Sequence, residues 1–305
     1  MREQPKSCAK SVFVARAGAS RSQPDEDFGC SIAGEEQNMS DRLAGKVALI
    51  AGSASGMGRA GAILMAEQGA SVVFADLNAD QAQIEADWLQ QRGLKAAAIQ
   101  LDIADAQQTR DAVEFTIATF GRIDVLHNNA AIFSRDVAAD QVTDIGQLDV
   151  AVFDRIMGVN VRGFILLSQA ALPHMIKGGG GSIINTSSLA SLAVEHRLNA
   201  YSMSKAAVNM LTMALAANYG RHGIRCNAVL PSLVNTHGHT GTYVDLMDLH
   251  TPVPYCATAD DLANVFAFLA SDESRTINGQ LIRVDGGLLS KMPYFEVYRD
   301  AMSAV

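Results

Sequence analysis

From Lys46 onward, short apolar runs of strand length alternate with longer stretches of helical period, and this alternation limits the fold more than any other feature. VALIA (47–51) and SVVFA (71–75) read as buried strands, AAAIQLD (96–102) holds the third, and DVLHNN (124–129) is the fourth. SIINTS (182–187), IRCNAVL (224–230) and QLIRVD (280–285) bring the number to seven. Helices are expected after the first strand, over 79–92, up to Gly121, over about 147–177 with a break around Gly158, over 199–220 and over 259–271. Strands spaced by helices in this way predict an α/β fold, a doubly wound, Rossmann-like parallel seven-stranded sheet with helices on both faces. With no internal repeat or linker inside 41–290, that stretch reads as a single domain.

The flanks differ. Residues 1–40 are polar and mixed in charge, without an apolar period, and read as a disordered N-terminal extension. Their longest apolar piece, VFVA (12–15), is too short for a signal-peptide core; an amphipathic transit peptide, or a natural start at Met39, are the alternatives. Residues 291–305 form a C-terminal tail whose Met292, Tyr294, Phe295 and Tyr298 suit either a pocket cap or a subunit contact. A net charge of −8 argues against nucleic acid as a partner. No apolar run approaches the roughly 18 residues of a membrane span, so no membrane partner is expected. Cys8, Cys30, Cys226 and Cys256 make no C-x-x-C pair, which fits a reducing, cytoplasmic location.

Directly after the first strand stands Gly52-Ser-Ala-Ser55-Gly56-Met57-Gly58, leading into a helix. Glycines in that place allow a tight turn and close approach of a phosphate, and the helix start supplies N–H groups and positive potential. Asp76 closes the second strand eighteen residues beyond Gly58, followed by Leu77. A carboxylate there accepts hydrogen bonds from an adenosine ribose and repels a 2′-phosphate, which favours NAD over NADP; a helix cap or turn is the structural alternative. Arg59 is the nearby cation that could reach a phosphate.

Tyr201 lies four residues before Lys205 in NAYSMSKAAVNM, one helical turn apart on a shared face. A free phenol titrates near ~10, and a fixed ammonium beside it favours the phenolate. Ser188 lies thirteen residues before Tyr201, where a hydroxyl can hold a substrate oxygen. Such a Tyr-x-x-x-Lys pair also occurs by chance on many helices.

Taken together, the glycine loop at 52–58, Asn128-Asn129-Ala130-Ala131, Asn160, Ser188, Tyr201 with Lys205, and Val284-Asp285-Gly286-Gly287 resemble the short-chain dehydrogenase/reductase family over residues 41–287. Ala51, Ala131 and Ser232 depart from the family's usual Thr, Gly and Gly. The resemblance implies a dinucleotide-binding and catalytic domain with Tyr201 as general acid/base. Ser188 would orient the substrate oxygen, Lys205 would lower the tyrosine pKa and hold the nicotinamide ribose, and Asn160 would hold a proton-relaying water. It further implies that Asp102 and Ile103 flank the adenine, that Asn129 sits beside the adenosine ribose, and that Val234 and Thr236 meet the carboxamide. The interval to Tyr201 favours Ser188 over Ser187, and a homotetramer is implied by the long helices and the last strand. For Asn128 and Asn160 the structural alternative is an amide that ties strand ends and helix bends.

The segment over about 236–260 would cover the substrate; it mixes Tyr243, Val244, Leu246, Met247 and Leu249 and holds neither Arg nor Lys. A neutral, lipophilic secondary alcohol or ketone of alicyclic, terpenoid or steroid-like kind is therefore expected. His196 and Arg197 are candidates for the substrate mouth, and His127 for a satisfied core residue. His237, His239 and His250 lack tight ligand spacing, so no metal is expected. Two other readings compete: an NADPH-dependent biosynthetic ketoreductase, and a non-catalytic dinucleotide-binding sensor or scaffold.

Overall fold

The computed structural model describes residues 41–137, 144–236, 250–253 and 255–292. The expectations about residues 1–40, most of the substrate-covering segment (with His237 and His239) and the tail beyond Met292 lie outside the described residues.

Seven strands form a parallel sheet. In chain order they are β1 (Val47–Ala51), β2 (Ser71–Asp76), β3 (Ala96–Gln100), β4 (Val125–Asn128), β5 (Gly181–Thr186), β6 (Ile224–Pro231) and, last, β9 (Leu281–Val284). Their spatial order is β3-β2-β1-β4-β5-β6-β9, and every adjacent pair is parallel. The order reverses between β1 and β4, and the crevice beyond the carboxyl ends of those two strands is where such sheets bind ligands.

The period-two alternation of β1 shows why the sheet is covered twice. Leu49 and Ala51 face α3 (Ala106–Phe120), α6 (Phe164–Lys177) and α7 (Asn199–Tyr219), packing with Val113, Leu167 and Val208. Ala48 and Ile50 face α1 (Gly56–Glu67), α2 (Ala79–Gln91) and α8 (Ala259–Ala270), packing with Met65, Leu89 and Phe266. Burial on both faces requires the continuous apolar runs read from the sequence. Asn78, Asp105 and Thr258 cap α2, α3 and α8 through side-chain oxygens.

Three local expectations are corrected. The break at Gly158 is a π turn: α5 (Val150–Met157) passes through Gly158–Gly163 into α6, and Gly158 itself keeps helical angles. The fourth strand lacks Asp124, whose carboxylate instead accepts from Val47 N at 2.9 Å and pairs with Arg122. A further pair of two-residue parallel strands, β7 (Val234–Asn235) and β8 (Ala257–Thr258), was too short to leave a sequence pattern. Between β4 and α5 lies the short helix α4 (Ser134–Val137).

No helix among the described residues is long and apolar enough to cross a membrane.

Candidate active site

The glycine loop is closed by its own backbone. A Cβ on Gly58 would stand 2.1 Å from Gly52 O, and one on Gly52, whose φ is +78°, would stand 2.6 Å from Ala130 Cα, so neither position admits a side chain. Ser53 fastens the loop to the sheet, donating to Ile50 O and accepting from Ala75 N. Ser55, N-cap of α1, uses no side-chain cap, and the first turn, with Gly56, Met57 and Gly58, holds no acidic residue. The N–H groups there stand open to an anion, as a dinucleotide's pyrophosphate requires.

Asp76 lies at the loop. Its Oδ2 accepts from Ala54 N and its Oδ1 from Asn78 N, both at 2.9 Å, so the carboxylate is fixed with lone pairs left for ribose hydroxyls. The turn and binding readings of this residue are thus compatible. Arg59 pairs with α2: its Nε lies 2.8 Å from Oε1 of the buried Glu85. Leu77 is exposed beside Asp76. Asp102 accepts from Ala104 N at 2.9 Å, whereas Ile103 is buried in the core beneath Gly163. Asn129 donates to Gly52 O at 2.9 Å and accepts from Thr186 Oγ1 at 3.0 Å. Val234 lies on β7, and Thr236 faces Gly56. The glycine loop, Asp76 and Asn129 are thus joined at the carboxyl ends of β1, β2 and β4, whereas the Ile103 side chain belongs to the core.

On the other side of the crevice, Tyr201 and Lys205 lie on the first turns of α7, both buried, and Ser188 follows β5. Ser187 points inward at Asn209 Oδ1 (2.7 Å) and Lys205 O (3.1 Å), whereas the Ser188 side chain, which accepts from Ala190 N at 3.1 Å, acts on the Tyr201 phenol. The Tyr201 ring stacks on Phe133, with centroids 4.3 Å apart and planes at 21°. Asn160, in the π turn, accepts from Ile132 N (2.9 Å) and donates to Ile132 O (3.0 Å) and Ser204 Oγ (3.1 Å). It therefore fixes the segment that carries Phe133. Asn128 donates to Asn185 Oδ1 at 2.8 Å, the structural part foreseen for it.

Burial is the largest influence on the phenol. It pushes Tyr201 up to about 12, with the Ser188 side chain opposing and the Glu195 charge reinforcing that rise. Burial draws Lys205 down to about 7, and its Nζ donates to Thr186 O at 2.8 Å while lying 5.6 Å from the Tyr201 ring centroid.

Residues 192–197 form an exposed rim between Ser188 and Tyr201. Leu198 N donates to Glu195 O across a turn in which Arg197 takes φ 61°, a left-handed conformation that costs a non-glycine residue roughly 1 kcal/mol. Arg197 Nε is 3.9 Å from Asp144 Oδ1. Sequence reasoning foresaw His196 and Arg197 here but not Phe133, Thr186 or Glu195, which carry no motif; only their three-dimensional neighbours mark them. Among the described residues no group of three or more metal-ligating side chains comes together.

Comparison with known proteins agrees with this geometry. Residues 51–289 match the family described as enoyl-(acyl carrier protein) reductase. A probable short-chain type dehydrogenase/reductase of Bradyrhizobium diazoefficiens is 38% identical over 261 residues, covering 83% of this chain and 91% of that protein. Cyclohexanol dehydrogenase of an Acinetobacter species is 34% identical over 257 residues, covering 84% of this chain and 100% of that protein. The crystal structure of a gluconate 5-dehydrogenase from Burkholderia cenocepacia, in complex with NADP and tartrate, matches with a TM-score of 0.76 at 32% identity, covering 84% of this chain and 100% of that one. With the glycine loop, the Ser188–Tyr201–Lys205 cluster and the sheet order in place, the chain belongs to the short-chain dehydrogenase/reductase family, as an oxidoreductase of CH–OH groups.

Proposed function

We propose that the protein is an NAD-dependent dehydrogenase that interconverts a neutral, lipophilic secondary alcohol and its ketone. The observation that carries this reading is Tyr201, buried one helical turn from the buried Lys205, with the Ser188 side chain near enough to act on the phenol. The nicotinamide coenzyme, when bound, takes up or supplies the hydride. Tyr201 removes the hydroxyl proton in oxidation and returns it in reduction. Ser188 holds the substrate oxygen beside the phenol, and Lys205 holds the nicotinamide ribose. Asn160 positions the Ile132–Phe133 segment, and its remaining Oδ1 lone pair suits a water that carries protons from Lys205. Gly52, Ser55, Gly56, Met57, Gly58, Asp76, Leu77, Asp102, Ile103, Asn129, Val234 and Thr236 make up the proposed coenzyme site.

The neutral, lipophilic substrate is supported by the site mouth. Exposed Leu192 and Val194 precede Glu195, whose charge is felt at the phenol and opposes an anionic substrate. Alicyclic alcohols such as the cyclohexanol of the Acinetobacter relative's name, and larger terpenoid or steroid-like ones, fit such an edge. The activity is assigned to residues 41–290, and the cytoplasmic location rests on cysteine use, with cell fractionation as its check.

The test is a panel of cyclic secondary alcohols supplied with NAD or NADP and followed at the nicotinamide absorbance band. Turnover of cyclohexanol-type substrates with NAD is expected; no turnover of any neutral alcohol would contradict the reading. The coenzyme preference rests on Asp76 and on the neutralisation of Arg59 by Glu85. Charge-assisted hydrogen bonds of Asp76 to ribose hydroxyls are worth about 1.5–3 kcal/mol, or roughly ten- to a hundredfold in kcat/KM. Asp76→Ala is therefore expected to weaken NAD use and ease NADP use. A wild type that already prefers NADP, or an unchanged ratio, would reverse the assignment and favour the NADPH ketoreductase.

A homotetramer completes the proposal. Met203, Met210 and Met213 stand exposed along one side of α7, an apolar stripe suited to a subunit contact. Light scattering at micromolar concentration should give four chains; a monomer would count against it.

A further inference from the structure

Thr186, the last residue of β5, is buried and bonded in three directions. Its main-chain oxygen accepts from Lys205 Nζ at 2.8 Å. Its hydroxyl lies 3.0 Å from Asn129 Oδ1 and 2.9 Å from His127 Nε2. The direction of these bonds follows from counting protons. Gly52 O only accepts, so the amide nitrogen of Asn129 must face it, as observed at 2.9 Å. That leaves the carbonyl oxygen of Asn129 towards Thr186, which must donate its single proton there. Thr186 then has only lone pairs to offer His127, and the imidazole must carry its proton on Nε2. A one-way chain of donors results, from His127 to Thr186 to Asn129 to Gly52.

The chain has a cost. With the proton on Nε2, Nδ1 is a bare lone pair, and it is buried without a hydrogen-bond partner, in a ring 4.2 Å from the Phe266 centroid. Burial holds this imidazole neutral, with its pKa drawn down to about 3. An apolar side chain at 127 would avoid the unpaired nitrogen, so the histidine calls for a reason beyond packing. Its Nε2–H provides one, because it fixes the rotor of the Thr186 hydroxyl that holds Asn129 against the first glycine of the loop.

We infer that His127 is a positioning residue which, through Thr186, sets the glycine loop and the ammonium of Lys205 in register with each other. The two ends of the crevice are otherwise carried by different elements, the loop by β1 and the lysine by α7. Thr186 is joined to both, by its side chain through Asn129 to the loop and by its carbonyl to Lys205. The inference requires dinucleotide binding but neither the choice of NAD over NADP nor the substrate.

The test measures the dissociation constant of NADH or NADPH, whichever wild type binds more tightly, by nucleotide fluorescence in the full chain well below its melting temperature. Kinetics then separate coenzyme KM from kcat. Thr186→Val removes the hydroxyl at constant shape, and His127→Leu removes the donor. Each should weaken coenzyme binding by roughly five- to tenfold, the loss expected for one buried hydrogen bond. The double variant should be no weaker than Thr186→Val alone, because both changes break one chain. Thr186→Ser and His127→Gln keep the hydroxyl and an N–H donor and should stay within about twofold of wild type. If His127→Leu does not fold, Thr186→Val against Thr186→Ser decides alone. Unchanged coenzyme dissociation constant and KM in Thr186→Val, with only the melting temperature lowered, would overturn the inference. Additive losses in the double variant would overturn it too.

Discussion

Tyr201→Phe will lower turnover by about 10²–10⁴-fold and leave coenzyme affinity near that of wild type, the range that general acid–base groups contribute. The substitution deletes one oxygen. The ring keeps its place because it is buried and stacked on Phe133, contacts that phenylalanine reproduces. What is lost is the phenolic hydroxyl on which the Ser188 side chain acts. Glu195 is exposed on the rim, and Lys205 is occupied with the Thr186 carbonyl, so neither is placed to take over. The check is steady-state turnover of a cyclic alcohol together with fluorescence titration of the coenzyme. Activity above about a hundredth of wild type would contradict the assignment of Tyr201 as general acid/base.

Lys205→Met will abolish useful turnover and at the same time stabilise the fold. The lysine is nearly fully buried, with the Phe164 and Tyr201 rings 5.4 and 5.6 Å from its Nζ and one carbonyl partner at 2.8 Å. Burial lowers its pKa from 10.5 to about 7, so the folded state holds its proton less tightly than the unfolded chain. By linkage this penalises the folded state by up to ~5 kcal/mol at neutral pH. Removing the ammonium leaves the Thr186 carbonyl without that donor, which costs about 1–3 kcal/mol. A net gain on the order of 1–3 kcal/mol remains, enough to raise the melting temperature by several degrees. The sign with pH follows. Between the folded value near 7 and the unfolded 10.5, only the unfolded lysine is protonated, so wild-type stability rises with pH through that window. The advantage of the variant is therefore largest at and below about pH 7 and fades towards 10.5. Thermal unfolding of both proteins across this range provides the check; a variant less stable than wild type at pH 7 would contradict the burial account.

The parts of the site that are legible in the sequence share one property: their chemistry is local. The glycine loop follows its strand by one residue, Asp76 closes the next strand, and Tyr201 and Lys205 are one helical turn apart. Spacing alone brings such groups together, and the doubly wound sheet follows from alternation of period. Long-range partners are not legible in this way. Phe133 covers Tyr201 from a segment sixty-eight residues earlier, because the Asn160 amide grips Ile132 beside it. Glu85 neutralises Arg59 because α1 and α2 pack side by side, which no spacing rule encodes. Thr186 reads as an ordinary β-branched strand residue until its three partners are seen together. Glycine at 158 suggests a break, whereas Gly158 is helical and opens the π turn.

Titration of the Tyr201 phenol itself tests the acid–base assignment most directly. With carbon-13 placed at the tyrosine Cζ, the resonance that disappears in Tyr201→Phe identifies it among the six tyrosines of the chain. In the free protein it should remain that of a neutral phenol up to about pH 12, as its burial requires. With NAD bound, the positive charge of the oxidised nicotinamide favours the phenolate, and the titration should move down into the pH range where alcohol oxidation proceeds. A phenol that stays neutral in the NAD complex throughout that range would show that Tyr201 is not the base.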